Sequence, residues 1–298
     1  MRKRRHRLRL ARAAVAAAVL ASAGCGAAGH TASGRQDSGS GSGQPSATAP
    51  AWDTSPDSVA AVGDSITRGF DTCTVLSDCP QSSWATGTDP AVNSLARRLL
   101  GASEVTRRSW NHAVTGARMS DLKSQIVKAA VHKPQLVAVM IGANDACRDT
   151  VAQMTSVADF RSQFQDAMHT LRAELPTAQV YVASVPNLMR LWSEGRTNPL
   201  GKQIWRLGLC PSMLGDADAL GAAAAQRRKT VQDRVVAYNA VLKEVCAEDA
   251  RCRFDDNAVY DYRFGTAQLS RWDWFHPSRD GQARLAEIAY RVVTAERP

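Results

Sequence analysis

The sequence predicts an α/β domain in three layers, α/β/α, with a central parallel sheet of about five strands. Three observations carry that prediction. Short runs of small and β-branched residues alternate along the chain with longer segments whose apolar residues recur at helical spacing. Three of these runs pass straight into Gly-containing or Gly-adjacent loops, as strands of open sheets do at their carboxyl ends. The alternation itself gives right-handed crossovers and puts helices on both faces. With 298 residues the chain is long enough for one such domain.

The elements follow in order. Ser58 to Val62 reads as a short buried strand that delivers Gly63-Asp64-Ser65 into a tight turn. Gly63 permits the bend, and Asp64 or Ser65 can cap a short helix. Thr72 to Pro90 is polar and reads as a loop. Ala91 to Leu100 has helical spacing at Val92, Leu95, Leu99 and Leu100, and Gly101 ends it. Glu104 to Trp110 is expected as a second strand, followed by a loop holding Thr115-Gly116-Ala117. Ser120 to Val131 reads as a helix. Gln135 to Ile141 is the clearest buried strand and runs into Gly142-Ala143-Asn144-Asp145. Val157 to Leu175 is an amphipathic helix with Phe160, Phe164, Met168 and Leu171 on one face. Val180 to Val185 is a fourth strand. Residues 187–222 have no strong period and are expected as a long irregular insertion. A helix from Gln226 to Ala247, a short strand near Arg253-Phe254 and a closing helix from Pro277 to Val293 complete the domain.

The formal charge of +9 belongs to one end of the chain. Residues 1–24 hold seven of the 37 basic residues and no acid, leaving 30 basic against 28 acidic side chains elsewhere. That balance is no nucleic-acid footprint. Met1 to Arg12 reads as the positive region of a signal peptide, and Ala13 to Ala23 as its apolar core, too short to span a bilayer. Ser22-Ala23-Gly24-Cys25 resembles a lipobox, so Cys25 is expected to carry a lipid and attach the chain to a membrane. Ser22 stands where such boxes usually have Leu, and simple secretion after cleavage near Ala27 or Ala28 is the alternative. Residues 25–56, rich in Gly, Ser, Ala, Thr and Pro, are expected to form a flexible tether. The folded domain is expected over 57–298.

Apart from Cys25 there are six cysteines. An even number in an exported chain suggests three disulfides, although sequence alone leaves the pairing open. Short loops close readily, which favours Cys73–Cys79 and Cys246–Cys252 and leaves Cys147–Cys210. A zinc site is disfavoured, since there is no CxxC and no nearby His pair.

Four segments carry chemistry: Gly63-Asp64-Ser65, Thr115-Gly116-Ala117, Gly142-Ala143-Asn144-Asp145, and Asp273-Trp274-Phe275-His276-Pro277. Each alone reads equally well as a turn. In this order, three of them after expected strands, they resemble the SGNH hydrolases, also called GDSL esterases and lipases. The resemblance covers about residues 57 to 296, essentially the whole folded domain, and implies their flavodoxin-like fold.

A serine hydroxyl is a weak nucleophile without a base. Ser65 is the expected nucleophile and His276 the expected base. Asp273, three residues earlier, can hold one ring nitrogen and leave the other for Ser65; its competing role is a helix cap. Of the other histidines after residue 24, His30 falls in the tether, His132 and His169 fall on expected helices, and His112 near Gly116 reads as packed or solvent-facing. The resemblance implies an oxyanion hole from the Ser65 and Gly116 backbone N–H groups and the Asn144 amide. Asp64 and Asp145 are expected as loop and cap supports. An α/β-hydrolase would want G-x-S-x-G, but Thr67 occupies the final position. No cofactor or metal is expected.

The expected activity is hydrolysis of carboxylic esters of small molecules or lipids. Removal of acetyl groups from glycans is the alternative with the same chemistry, and a catalytically silent surface-binding module is the alternative from a different class. Acyl length, alcohol and oligomeric state are not written in the sequence.

Overall fold

The computed structural model describes residues 52–296. The expected signal peptide, Cys25, His30 and the tether as far as residue 51 lie outside the described residues.

The chain forms β1 (Val59–Gly63), α1 (Ser65–Arg68), α2 (Leu95–Leu100), α3 (Val105–Arg108), β2 (Ser109–Asn111), α4 (Leu122–Ala130), β3 (Leu136–Met140), α5 (Ala143–Ala146) and α6 (Val157–Glu174). It continues with β4 (Gln179–Val182), α7 (Leu188–Gly195), α8 (Pro199–Trp205), α9 (Pro211–Leu214), α10 (Ala222–Ala247), β5 (Cys252–Phe254), α11 (Ala258–Asp261) and α12 (Arg279–Thr294). The five strands make one parallel sheet in the order β2-β1-β3-β4-β5. Every residue of β1, β3 and β4 is buried, as expected of strands covered on both faces. Helices α4, α6 and α10 pack side by side, and α2 packs on α12.

The order reverses between β1 and β3. From β1 the chain goes to β2 on one side, and from β3 to β4 on the other. The crevice at the carboxyl ends of such a pair is where open α/β sheets hold ligands. Gly63 pairs with Met140 at that edge, so the loops after β1 and β3 emerge together.

Two segments differ from the expectation. Val105–Arg108 is helical where a strand was expected; Glu104 pairs with Arg107 and Arg108, one turn along, and β2 shrinks to an edge strand of three residues. Residues 72–90 form the expected loop, with its middle, Ser82 to Gly87, buried against the domain. Trp84 is fully buried, with its backbone N–H on Gln282 Oε1 at 2.8 Å and its indole N–H on Thr67 Oγ1 at 3.3 Å. Residues 187–222 contain three short helices. Asn187 caps α7, while Asn198 caps α8 with Pro199 in its first turn. Helices of four to eight residues are too short to show a period.

The last residues of the compositional tether are held by the domain. The Trp52 indole donates to Val293 O at 2.8 Å beneath the Arg253 guanidinium, and Gln179 bonds both N–H and C=O of Asp53. The disulfides are Cys73–Cys79, Cys147–Cys210 and Cys246–Cys252.

Candidate active site

Ser65 is placed by the end of β1. Gly63 has φ +146°, and a Cβ there would lie 2.1 Å from Met140 O, so no other residue fits between the strands. Gln125 on α4 clamps this glycine, accepting from its N–H at 2.7 Å and donating to its carbonyl at 2.9 Å. Asp64 then caps α1 by accepting from Ile66 N. Ser65 is the first residue of that helix, so its N–H has no intrahelical acceptor and faces outward.

His276 arrives from the segment before α12. Its Nε2 lies 2.8 Å from Ser65 Oγ, and its Nδ1 lies 2.5 Å from Asp273 Oδ2. Asp273 Oδ1 accepts the backbone N–H groups of Phe275 and His276 at 2.9 and 3.0 Å. Asp273 therefore closes its own turn and holds the imidazole, while the helix cap expected as its competing role belongs to Ser278 on α12. Trp205 on α8 donates its indole N–H to Asp273 O at 3.0 Å, and the Phe70 ring packs 4.9 Å from the imidazole. Ser65, Asp273 and His276 are 6, 4 and 6 % exposed. The serine, base and carboxylate thus meet inside a nearly dry pocket.

Electrostatics follow from that burial. Burial lowers the His276 pKa, but the Asp273, Asp71 and Asp64 carboxylates outweigh it and the net displacement is upward. Burial also opposes ionisation of Asp273, yet His276 and the hydrogen bonds to its oxygens hold its carboxyl below the usual range. Asp64 is pushed to about 7, mainly by burial, and its Oδ2 has no partner among the described residues.

The second and third loops meet beside the serine. Asn144 Nδ2 donates to Ala117 O at 3.0 Å, joining the loop after β3 to the residue following Gly116. An amide nitrogen has two N–H groups, so one remains for another acceptor. Gly116 has φ +84° and open space where a Cβ would sit, so its glycine answers to backbone conformation rather than to crowding. Asp145 is a support, accepting from Met119 N and Thr155 Oγ1 at 2.9 and 2.7 Å.

His112 does not join this group. It stacks with His132 at 5.2 Å, and His132 stacks on Trp110 at 4.5 Å. Sequence reasoning did not find Gln125, Phe70, Trp205 or Asp71. The first three carry no local motif. Asp71 sits in a segment whose only signal is its cysteine pair.

A narrow cleft of almost wholly apolar lining lies between Ile66, Ala143, Leu188, Leu191, Phe264 and Phe275, so chain neighbours of Ser65, Asn144 and His276 form its walls. A serine hydroxyl with an imidazole on it can attack an ester carbonyl.

Among solved structures, the chain is similar to the lipase Lip_vut3 from a goat rumen metagenome, at 14 % identity and TM-score 0.49, covering 78 % of this chain and 94 % of that one. It is similar to a Clostridium thermocellum family 3 carbohydrate esterase at 15 % identity and TM-score 0.46, covering 79 % and 94 %. It is also similar to phospholipase A1 from Streptomyces albidoflavus NA297 at 17 % identity and TM-score 0.45, covering 80 % and 100 %. No curated protein matches the chain. The family described as GDSL-like Lipase/Acylhydrolase matches residues 59–289, which takes in all four motif segments and every strand. The chain belongs to this family of ester-hydrolysing enzymes, the SGNH hydrolases.

Proposed function

We propose that this protein hydrolyses carboxylic esters with short, apolar acyl groups through an acyl-enzyme on Ser65. The observation that carries the reading is the unbroken contact from Ser65 Oγ to His276 Nε2 at 2.8 Å and from His276 Nδ1 to Asp273 at 2.5 Å. Ser65 Oγ attacks the ester carbonyl carbon while its proton passes to His276 Nε2. Asp273 holds the imidazole in the tautomer that accepts this proton and stabilises the imidazolium. The Ser65 and Gly116 N–H groups and the free N–H of Asn144 receive the oxyanion. The C–O bond then breaks, His276 returns its proton to the departing alcohol, and a water repeats the sequence to release the acid.

The support for a small acyl group is the narrow cleft walled by Ile66, Ala143 and Phe275, the chain neighbours of Ser65, Asn144 and His276. Its 30 Å³ is room for two or three water-sized groups, at about 10–15 Å³ each. Its walls offer carbon almost throughout, which suits an alkyl chain. Glycan acetyl groups fit the same cleft, and the alcohol decides between them and small esters. Export is the accompanying proposal: residues 1–24 as a signal peptide, Cys25 as a lipid anchor and a tether to residue 51. Three disulfides favour an oxidising compartment, and no helix among the described residues is long and apolar enough to cross a membrane.

A fluorophosphonate probe tests the chemistry. The expected adduct maps to Ser65, and folded protein that stays unlabelled overturns the reading. A panel of p-nitrophenyl esters of increasing acyl length, with an acetylated xylan included, tests the substrate. The expected optimum lies at acetyl to butyryl, and an optimum at long chains overturns the short-acyl assignment.

A further inference from the structure

Asp71 lies six residues after Ser65 and is 1 % exposed. Its φ of +55° is left-handed, a conformation unfavourable for non-glycine residues, although Asp tolerates it better than most. The fold holds it there from both sides. Asp71 N donates to Ser77 O at 3.0 Å, Ser270 Oγ donates to Asp71 O at 2.7 Å, and the Cys73–Cys79 disulfide closes the loop that follows.

The side chain is aimed at the catalytic pair. Donor atoms of Asp71, Asp273 and His276 lie within 4.8 Å of one another. Asp71 Oδ1 accepts the backbone N–H of Leu76, while Oδ2 is buried with no partner among the described residues. Across from it, Asp273 already receives the His276 ring and two backbone N–H groups. A buried carboxylate oxygen without a donor is costly, and two adjacent carboxylates in a dry site resist ionising together. A proton on Asp71, donated to Asp273, relieves both costs.

We propose that Asp71 is a positioning residue that sets the base strength of His276 through Asp273, bracing Asp273 when protonated and adding a second negative charge behind the imidazole when ionised. This inference rests on Ser65, His276 and Asp273 being the catalytic set. Burial first, and then Asp273, push the Asp71 carboxyl up to about 6. The titratable groups facing it are Asp273 and His276; those facing His276 are Asp273, Asp71 and Asp64, and Asp64 in turn faces Asp145. Protons on this cluster are shared, so the observed pKa belongs to the set. The sign is fixed nonetheless. Ionised Asp71 favours the imidazolium, so its loss makes His276 give up its proton at lower pH.

The test is the pH dependence of kcat/KM on p-nitrophenyl acetate for wild type, Asp71→Asn and Asp71→Ala, with Ser65→Ala as control. The Asn side chain keeps an acceptor for Leu76 N–H and can offer an N–H toward Asp273, but cannot ionise. Its acid limb is expected to fall by roughly one pH unit while its plateau stays within a few-fold of wild type. Asp71→Ala is expected to show the same displaced limb, since it removes the same charge from behind the imidazole. A limb that stays at the wild-type position in both variants overturns the proposal, whatever happens to stability or to the plateau. Activity of Ser65→Ala close to that of wild type instead overturns the catalytic set on which it rests, so the two failures are distinct.

Discussion

The Asn144 side chain reaches across 3.0 Å to the backbone carbonyl of Ala117. One bond thereby ties the loop after β3 to the loop that carries Gly116 and fixes the direction of the remaining amide N–H. Removing the side chain loses both a donor and a brace. Asn144→Ala is expected to lower kcat about 10²- to 10³-fold, the usual loss for one oxyanion donor. Asn144→Asp, which replaces the donor by a negative charge, is expected to be worse. Steady-state kinetics on a short ester checks both, and an unchanged kcat in the Ala variant would move the oxyanion site elsewhere.

Ser65→Ala and His276→Ala are each expected to cost about 10⁶-fold in kcat, and the double variant little more, because nucleophile and base act as a unit. Ser65→Ala removes one oxygen, so its circular dichroism and thermal midpoint should remain close to wild type; His276→Ala leaves space between Phe70 and Phe275 and an unpaired Asp273, so its midpoint is expected to fall while its circular dichroism is kept. Additive losses in the double variant would contradict a shared role.

The pH profile follows from the upward displacement of His276. The base must be neutral to accept the Ser65 proton. Activity is therefore present above the raised pKa and lost as the pH falls through it. The acid limb of kcat/KM is expected above the ordinary histidine value of about 6.5. A limb below that value would mean that burial outweighs the three carboxylates.

These elements differ in how plainly the sequence announces them. Gly63-Asp64-Ser65 and Asn144 were legible because each follows a buried strand directly and because the four segments stand together in this order, although each alone reads as a turn. Asp273 and His276 were legible because a three-residue spacing puts both on one turn. Asp71 was not. Its placement depends on a left-handed backbone pinned by Ser77 and by Ser270, the latter 199 residues away. Gln125 and Gln282 were equally silent: each is a helix residue whose amide clamps backbone around the serine turn, at Gly63 and at Ile66 and Trp84. Helices α7 and α8 escaped notice because the Asn187 and Asn198 caps, rather than periodicity, define them, and α9 because it is four residues long.

Asp64 offers a test of stability. Its carboxyl rises from 3.8 to about 7 in the folded protein, mainly through burial. A carboxyl raised on folding favours the native state when protonated, and that contribution fades as the pH climbs from its unfolded to its folded pKa. Asp64→Asn retains the acceptor for Ile66 N–H but cannot ionise. Its thermal midpoint relative to wild type is expected to rise between about pH 4 and pH 7, with the variant the more stable at the upper end. A pH-independent difference would show that the Asp64 carboxyl ionises at the same pH in the folded and unfolded chain.

The Cys147–Cys210 disulfide joins the segment following Asn144 to the start of α9, closing 63 residues. The chain-entropy relation gives about 4 kcal/mol for a loop of that length and about 2 kcal/mol for each six-residue loop. Cys147→Ser/Cys210→Ser is therefore expected to lower the thermal midpoint more than either local double variant. The effect on selectivity follows from the packing. Helix α9 packs on α7, and α7 supplies Leu188 and Leu191 to the apolar cleft. Without the disulfide, α9 retains the Ser212 hydrogen bonds to Ala146 and Arg148, so the wall loosens without leaving. The ratio of butyryl to acetyl ester hydrolysis is expected to move toward one, while turnover of the acetyl ester survives because Ser65, His276 and Asn144 are held by other contacts. Peptide mapping of the unreduced protein comes first, since a fragment joining Cys147 to any other cysteine ends the argument. If the mapping agrees and the variant keeps wild-type acyl selectivity, the cleft wall is fixed by packing alone.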